Sequence, residues 1–210
     1  FIPIFPLSII VFPGETLNLH IFEPRYKQLI QECVEQKKPF GIPAVVNKEL
    51  KDLGTLIEIT AIKHVYEDGK MDISTRGIKV FRLLEVLKEV PDKLYSGAIV
   101  TYPEDEDDGN RLLMQQVVKG IKELHKLLEV SKDFKKPEEE LKAFDVAHHM
   151  GLNIEEEYEL LGLFREAQRQ EYLKRHLGKV IPMLTEMESL KDKVKLNGHF
   201  RNLESFNFDI

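Results

Sequence analysis

Pro3-Ile4-Phe5-Pro6-Leu7, Val11-Phe12-Pro13-Gly14-Glu15 and Leu17-Asn18-Leu19-His20-Ile21-Phe22-Glu23-Pro24-Arg25-Tyr26 carry the pattern that decides the fold. The apolar run over residues 2–12 has strand character. Pro3 and Pro6 cannot donate to a ladder, so the run belongs at an irregular or edge position. Pro13-Gly14 is a turn signal. Leu17, Leu19 and Ile21 alternate with Asn18 and His20, the period of a half-buried strand. Pro24 suits a first helical position, where its missing N–H costs nothing, and Glu23 sits at the positive end of the helix dipole. Tyr26, Leu29, Ile30, Cys33 and Val34 then recur at helical spacing, so an amphipathic helix follows with Cys33 on its buried stripe.

Strand signals continue outward from this stretch. Residues 40–46 form a short strand, and Gly54 opens a longer one through residue 66. Asp68-Gly69 provides the left-handed positions of a tight hairpin turn. The return runs over residues 71–86, with Gly77 as a bulge or bend where the sheet curls. Residues 95–102 supply one more strand. About six strands with bends and few long connections predict a closed or half-closed barrel.

The composition changes near residue 103. Pro103-Glu104-Asp105-Glu106-Asp107-Asp108-Gly109 places five adjacent carboxylates in a row, which reads as an exposed linker and not as a calcium loop, whose oxygens alternate. Beyond it the chain is helical. Leu113, Val117, Ile121, Leu124 and Leu128 share a face over residues 111–130. Pro137 starts a second helix that continues to Met150 and stops at Gly151. Asn153 with Glu156 forms a capping box for a third. Leu173, Leu177, Val180, Leu184 and Met187 line a last helix that Pro182 kinks or breaks. Residues 195–210 read as irregular. The division is therefore 1–103 barrel subdomain, 104–109 acidic linker and 110–210 helical subdomain with an irregular tail. In that tail Leu196, Phe200, Leu203, Phe206 and Phe208 are too apolar for a solvated terminus and are expected to dock on the barrel–helix junction, the rival reading being a free motif that binds a partner or a second copy of the chain.

The chain of 210 residues has a net charge of −6. Residues 1–103 carry 13 basic and 13 acidic side chains, and residues 104–210 carry 17 and 23. Neither half has the basic footprint of a general nucleic-acid binder. One cysteine excludes an internal disulfide framework and fits a reducing, cytoplasmic compartment. No apolar run is long enough to span a membrane. The sequence lacks a phosphate loop, a Gly-x-Gly-x-x-Gly turn and a Gly-x-Ser-x-Gly elbow. Of seven histidines only His148 and His149 adjoin, and neighbours on a helix diverge by about 100°, so they do not converge as ligands. No catalytic, metal or cofactor-binding residue is assigned, and the peptide-binding residues are left open.

The quoted N-terminal stretch resembles the start of the LON substrate-binding domain, the N-terminal region of Lon-type ATP-dependent proteases. Phe40-Gly41-Ile42, Gly54-Thr55-Leu56, Asp68-Gly69 and Ser74-Thr75-Arg76-Gly77-Ile78-Lys79-Val80-Phe81 extend the likeness over about residues 2–102. It weakens to a helical pattern over 110–190. The resemblance implies an α+β fold, a PUA-like β-barrel followed by a helical bundle. It also implies a role in holding protein substrates. The AAA+ motor and Ser–Lys protease that accompany this domain in full-length Lon have no counterpart here, so the expectation is a stand-alone, non-enzymatic module. Its partners would be unfolded or apolar protein segments, with a protease or chaperone as co-worker in protein quality control. An RNA-binding PUA-like module is the alternative, and the neutral and acidic halves argue against it. The purified chain is expected to turn over neither ATP nor peptides. Protein-dependent ATP turnover that persists through further purification contradicts this.

Overall fold

A computed structural model describes residues 1–199, with side chains through Lys195. Strands β1 (Ile2–Pro3), β2 (Thr16–Ile21), β3 (Phe40–Val46), β4 (Glu49–Val65), β5 (Met71–Leu87) and β6 (Gly97–Thr101) form one antiparallel sheet. Its order is β1-β6-β5-β4-β3, and β2 pairs with β5. Helices α1 (Pro24–Gln36), α2 (Arg111–Leu127), α3 (Ala143–Val146), α4 (Ile154–Leu161) and α5 (Glu166–His199) complete a mixed α+β fold. The sheet does not close into a continuous barrel. The regular ladder of the first strand stops at Pro3, and the chain then meets β3 through isolated parallel bridges, Ile4 with Gly41 and Leu7 with Ala44. The prolines account for this, since neither can donate to a neighbouring strand.

Helix α1 lies where its residues require. Glu23 is the N-cap and Pro24 the first helical residue, and Lys37 ends the helix with φ of 53°. Arg25 pairs with Glu23 at 2.7 Å and lies over the Tyr26 ring. Tyr26 stacks on Phe5 with centroids 3.8 Å apart, joining Leu29, Ile30, Phe40 and Ile57 in the core between α1 and the sheet. A second core spans sheet and helices. Phe12, Val46, Leu53 and Val80 meet Val117 and Ile121 of α2 and Leu173 and Leu177 of α5 in it.

Several sequence expectations change in detail. In the β4–β5 hairpin only Gly69 is left-handed, at φ 75°. Its N–H bonds the Tyr66 carbonyl at 2.9 Å, so the loop is wider than a two-residue turn. The two-residue turn with two left-handed centres is Asn47-Lys48, at φ 53° and 65°, between β3 and β4. The helix expected over 137–150 is instead a 3-10 turn at Glu138–Glu140, extended residues Leu141 and Lys142, α3, and a second 3-10 turn at Ala147–His149. Side chains restart the helix at Ala143: its N–H donates to the Glu166 carboxylate at 2.8 Å, and the Lys142 N–H donates to Asp145 at 3.0 Å. The Asn153–Glu156 capping box forms as read. Helix α5 runs through Pro182 without a break and continues past Lys195 to His199. Pro182 removes one N–H, and the turns before it are anchored by buried Leu173 and Leu177. The expected docking of Leu196, Phe200, Leu203, Phe206 and Phe208 concerns side chains outside the described ones.

The acidic stretch stays exposed, yet most of its carboxylates are paired. Asp105 pairs with Arg169 at 2.6 Å, Asp107 with Lys142 at 2.6 Å, and Asp108 with Arg165 at 2.6 Å. Asp108 also accepts the Ala167 N–H at 3.0 Å, which holds its carboxyl below the ordinary range. Mutual repulsion is relieved because Asp105 and Asp107 each meet a cation, while Asp108 and Glu106 share Arg165.

Gly77 fixes the crossing between the N-terminal segment and the sheet. The register slips between Leu56 and Ile57, which pair with Lys79 and Gly77, so the expected bulge is present. Gly14 donates to the Gly77 carbonyl and Gly77 donates to the Glu15 carbonyl, both at 2.9 Å. A Cβ on residue 77 would lie 2.4 Å from the Phe12 carbonyl oxygen. The Glu15 carboxylate then accepts the Phe12 N–H at 2.9 Å and meets His148 at 3.1 Å, whose other ring nitrogen meets Glu157 at 2.8 Å. These two carboxylates raise the His148 pKa from 6.5 to about 9.

Gly77→Ala is expected to lower stability by about 2–3 kcal/mol, because the contact is with backbone that cannot rotate away. Gly178→Ala, where a Cβ meets nothing within 4 Å, should leave stability unchanged or raise it by up to about 1 kcal/mol. Urea unfolding of both variants checks the contrast, and equal effects would contradict it. The His148 clamp contributes its stability in full below pH 6.5 and loses it as pH rises through about 9. The ring is 37% exposed, so the effect should be about 1 kcal/mol. The melting temperature of the native chain should fall more steeply than that of His148→Gln between these two pH values. Parallel curves would remove the clamp from the account.

Candidate functional site

The length mismatch between β3 and β4 leaves a strand edge open. β3 has 7 residues and β4 has 17, and their pairing ends at Phe40 with Ile57. Beyond that point, among the described residues, β4 has a ladder partner only on its β5 side. Residues 58–65 are mostly exposed, and Ile62 and Val65 are 42% and 59% accessible. Register shifts between Ile59 and Ala61 and between Ile62 and His64 bend this edge. Such bends discourage open-ended stacking of whole sheets while leaving short stretches of free backbone.

Helix α1 forms the facing wall. Its buried stripe of Tyr26, Leu29, Ile30 and Cys33 is pinned along one flank by Glu32, which accepts from the Tyr95 hydroxyl at 2.6 Å and pairs with Lys93 at 2.8 Å. Those two partners hold the Glu32 carboxyl below its ordinary range. On the same flank Gln28 accepts the Leu94 N–H at 2.8 Å. The opposite flank, with Lys27, Gln31 and Val34, borders the β4 edge, and Lys38 follows just past the helix end. Two adjoining depressions of about 440 and 460 Å³ lie between helix and strand, sharing Val34 and Ile62. Ile59, Ile78 and Pro39 line the first, and Val65 and Met71 the second. Lysines and acids rim the groove, and Lys27 donates to the Asp68 carbonyl at 2.8 Å. Cys33 reaches the groove floor but is 5% exposed, and burial pushes its thiol up to about 11, so it is protonated and unreactive there.

This arrangement suits an extended segment. Free strand backbone can hydrogen-bond any sequence, and alternate side chains of an added strand would meet Val34, Ile62 and Val65. Among the described residues lining the groove there is no histidine or serine, and the one cysteine is buried and protonated. Among the described residues no group of three His, Cys, Asp or Glu side chains is placed to hold a metal ion. No described helix is long and apolar enough to cross a membrane. His148 and His149 diverge: His148 lies between Glu15 and Glu157, and His149 lies against Phe134 and His125. The motif residues Pro13, Gly14, Glu23, Pro24, Arg25 and Tyr26 perform the turn, cap and packing roles described above and stay clear of the groove lining. The sequence placed a strand over residues 54–66 and Val34 on the helix stripe. It did not reveal that β3 ends early, which is a property of strand pairing.

Comparison with known proteins agrees with this architecture. The profile of the ATP-dependent protease La (LON) substrate-binding domain matches residues 2–179. The Lon protease of Parabacteroides distasonis is 32% identical over 133 residues, which is 59% of this chain and 16% of that protein. The chain thus spans about a sixth of the length of this curated relative. The crystal structure of a Lon N-terminal domain protein from Xanthomonas campestris superposes with a TM-score of 0.62 at 23% identity, covering 82% of this chain and 95% of that one. The N-terminal domain of Mycobacterium avium complex Lon protease gives 0.60 at 13% identity, covering 85% and 98%. These two likenesses concern the fold. With the matched profile covering the sheet, the bulged hairpin and the helices through the first part of α5, the chain belongs to the LON substrate-binding domain family.

Proposed function

We propose that the chain is a non-catalytic module that captures extended, apolar protein segments by adding them to the free edge of β4. The observation that carries this reading is the uncovered stretch 58–65 beside the Val34 flank of α1. Membership of a substrate-binding family supports it, and so does the match to 16% of a Lon protease, a part that corresponds to the substrate-binding domain. An unfolded client presents main chain and apolar side chains without a fixed sequence, and a strand edge flanked by apolar surface reads those two features. Such a module would serve as an adaptor in protein quality control, in the cytoplasm, handing segments to a protease or chaperone. The RNA-binding alternative has no stacking aromatic or basic stripe in this groove to favour it.

Titration of a labelled, uncharged peptide of alternating Val and Thr, followed by anisotropy, tests the reading. Ile62→Lys with Val65→Lys should weaken binding at least about tenfold, equivalent to roughly 1.4 kcal/mol, without lowering the melting temperature. A peptide N-methylated at alternate residues should also lose binding, since it cannot pair with the strand. Undiminished affinity in both arms would overturn strand addition. Tight salt-sensitive binding of single-stranded RNA in place of the peptide would favour the alternative.

A further inference from the structure

A second concave site lies where the Pro13-Gly14-Glu15 turn faces the helical part. It is a cleft of about 500 Å³, walled by that turn, by Arg76 of β5 and by the segments around residues 132–136 and 144–149. Its charge runs against that of the protein. Arg76, Lys132, Lys135, Lys136 and His148 line it against two carboxylates, Glu15 and Asp145, whereas the chain as a whole is −6. The local excess survives internal pairing. Lys136 is matched to Asp145 at 2.7 Å and Glu15 to His148 at 3.1 Å, while Lys132 donates to the His148 carbonyl at 2.8 Å. Arg76 and Lys135 are left without a carboxylate partner among the described residues.

The floor of the cleft is apolar. Phe144 stacks on Phe12 with centroids 5.0 Å apart, and Leu141 lies beside it. His149 also lines the cleft. Its Nδ1 is buried and has no hydrogen-bond partner, alone in this respect among the described side chains. A buried polar atom without a partner costs stability, which sets His149 apart within the segment that walls the cleft.

We infer that this junction cleft binds an acidic segment of a protein, with carboxylates on Arg76 and Lys135 and an apolar side chain on Phe144. Charge complementarity names the carboxylates, and the apolar floor names the neighbouring residue. A nucleic acid fits less well. Its phosphates would follow the chain out of the cleft onto an acidic surface, and Glu15 and Asp145 stand within the walls. The site shares no lining residue with the β4 groove, so variants can address the two separately.

Anisotropy titrations on the full chain with a labelled peptide of alternating Glu and Phe test this inference. Its partner is the same peptide with Gln for Glu. The acidic peptide should bind at least about tenfold tighter at low salt and lose that margin as salt shortens the screening length to below ~8 Å. Arg76→Glu with Lys135→Glu should abolish the margin and leave the melting temperature intact. It should also leave binding of the uncharged Val–Thr peptide at β4 unchanged. Ile62→Lys with Val65→Lys should do the reverse, so failure at one site is separable from failure at the other. Equal affinity for the Glu and Gln peptides overturns the inference. So does a margin that survives the double reversal, displacement of the peptide by inorganic phosphate at equal concentration, or tighter binding of single-stranded RNA than of the peptide.

Discussion

The backbone contact between Phe12 and Gly77 governs the rest of the molecule. It lets residues 11–15 cross the sheet at a distance no side chain at position 77 would permit. The crossing buries Phe12 completely and turns it toward the helices, where it stacks on Phe144 and joins the core shared by α2 and α5. It is locked from both sides, by the paired bonds of Gly14 and Glu15 with Gly77 and by the Thr55 hydroxyl donating to the Val11 carbonyl. Glu15 emerges from this turn aimed at His148, so the same few residues that shape the sheet also join it to the helical part.

The position of α1 follows from a different division of labour. One flank of its buried stripe is tied to the loop before β6 through Glu32, Gln28, Lys93 and Tyr95. With that flank fixed, the other flank stops short of the β4 edge instead of covering it. A helix packed symmetrically would have filled the space with its own side chains. Exposed strand edges are usually hazards, and the two register shifts in β4 limit this one to short partners.

Much of this was legible in the sequence, and the rest failed for identifiable reasons. Alternation at Leu17, Leu19 and Ile21, the helical spacing from Tyr26 to Val34, and Gly77 within a long strand each encode local geometry directly. So does the Asn153–Glu156 cap. The errors arose where distant groups decide local structure. Residues 137–150 have helical character, yet Glu166 from α5 takes the Ala143 N–H and Leu141 turns inward, so the segment breaks into short turns. Asn47-Lys48 lacks the Gly of a typical tight turn and adopts left-handed geometry because β3 and β4 must pair on both sides of it. The buried Glu166–Arg169 pair, with Arg169 over Phe144, leaves no periodic trace at all. The β4 groove was legible as a strand and a stripe, but its openness was not, because the end of β3 is set by pairing.

Electrostatics shows the same gap between count and placement. The second half of the chain carries 17 basic and 23 acidic side chains, so arithmetic predicts a negative surface throughout. The carboxylates, however, are spent locally. Asp105, Asp107 and Asp108 neutralise Arg169, Lys142 and Arg165, and Glu157 joins Glu15 on His148. Among the described residues Arg76 and Lys135 meet no carboxylate within ion-pair distance, although Glu58 faces Arg76 across the ladder. Coulomb attraction at about 3 Å outweighs the diffuse attraction of the same charges at a Debye length, so pairing partners are chosen by contact and not by net charge. A positive cleft on an acidic protein is the residue of that selection. It comes into being only when the crossing at Gly77 brings the Glu15 turn, β5 and the segments around residues 132–136 and 144–149 to one place.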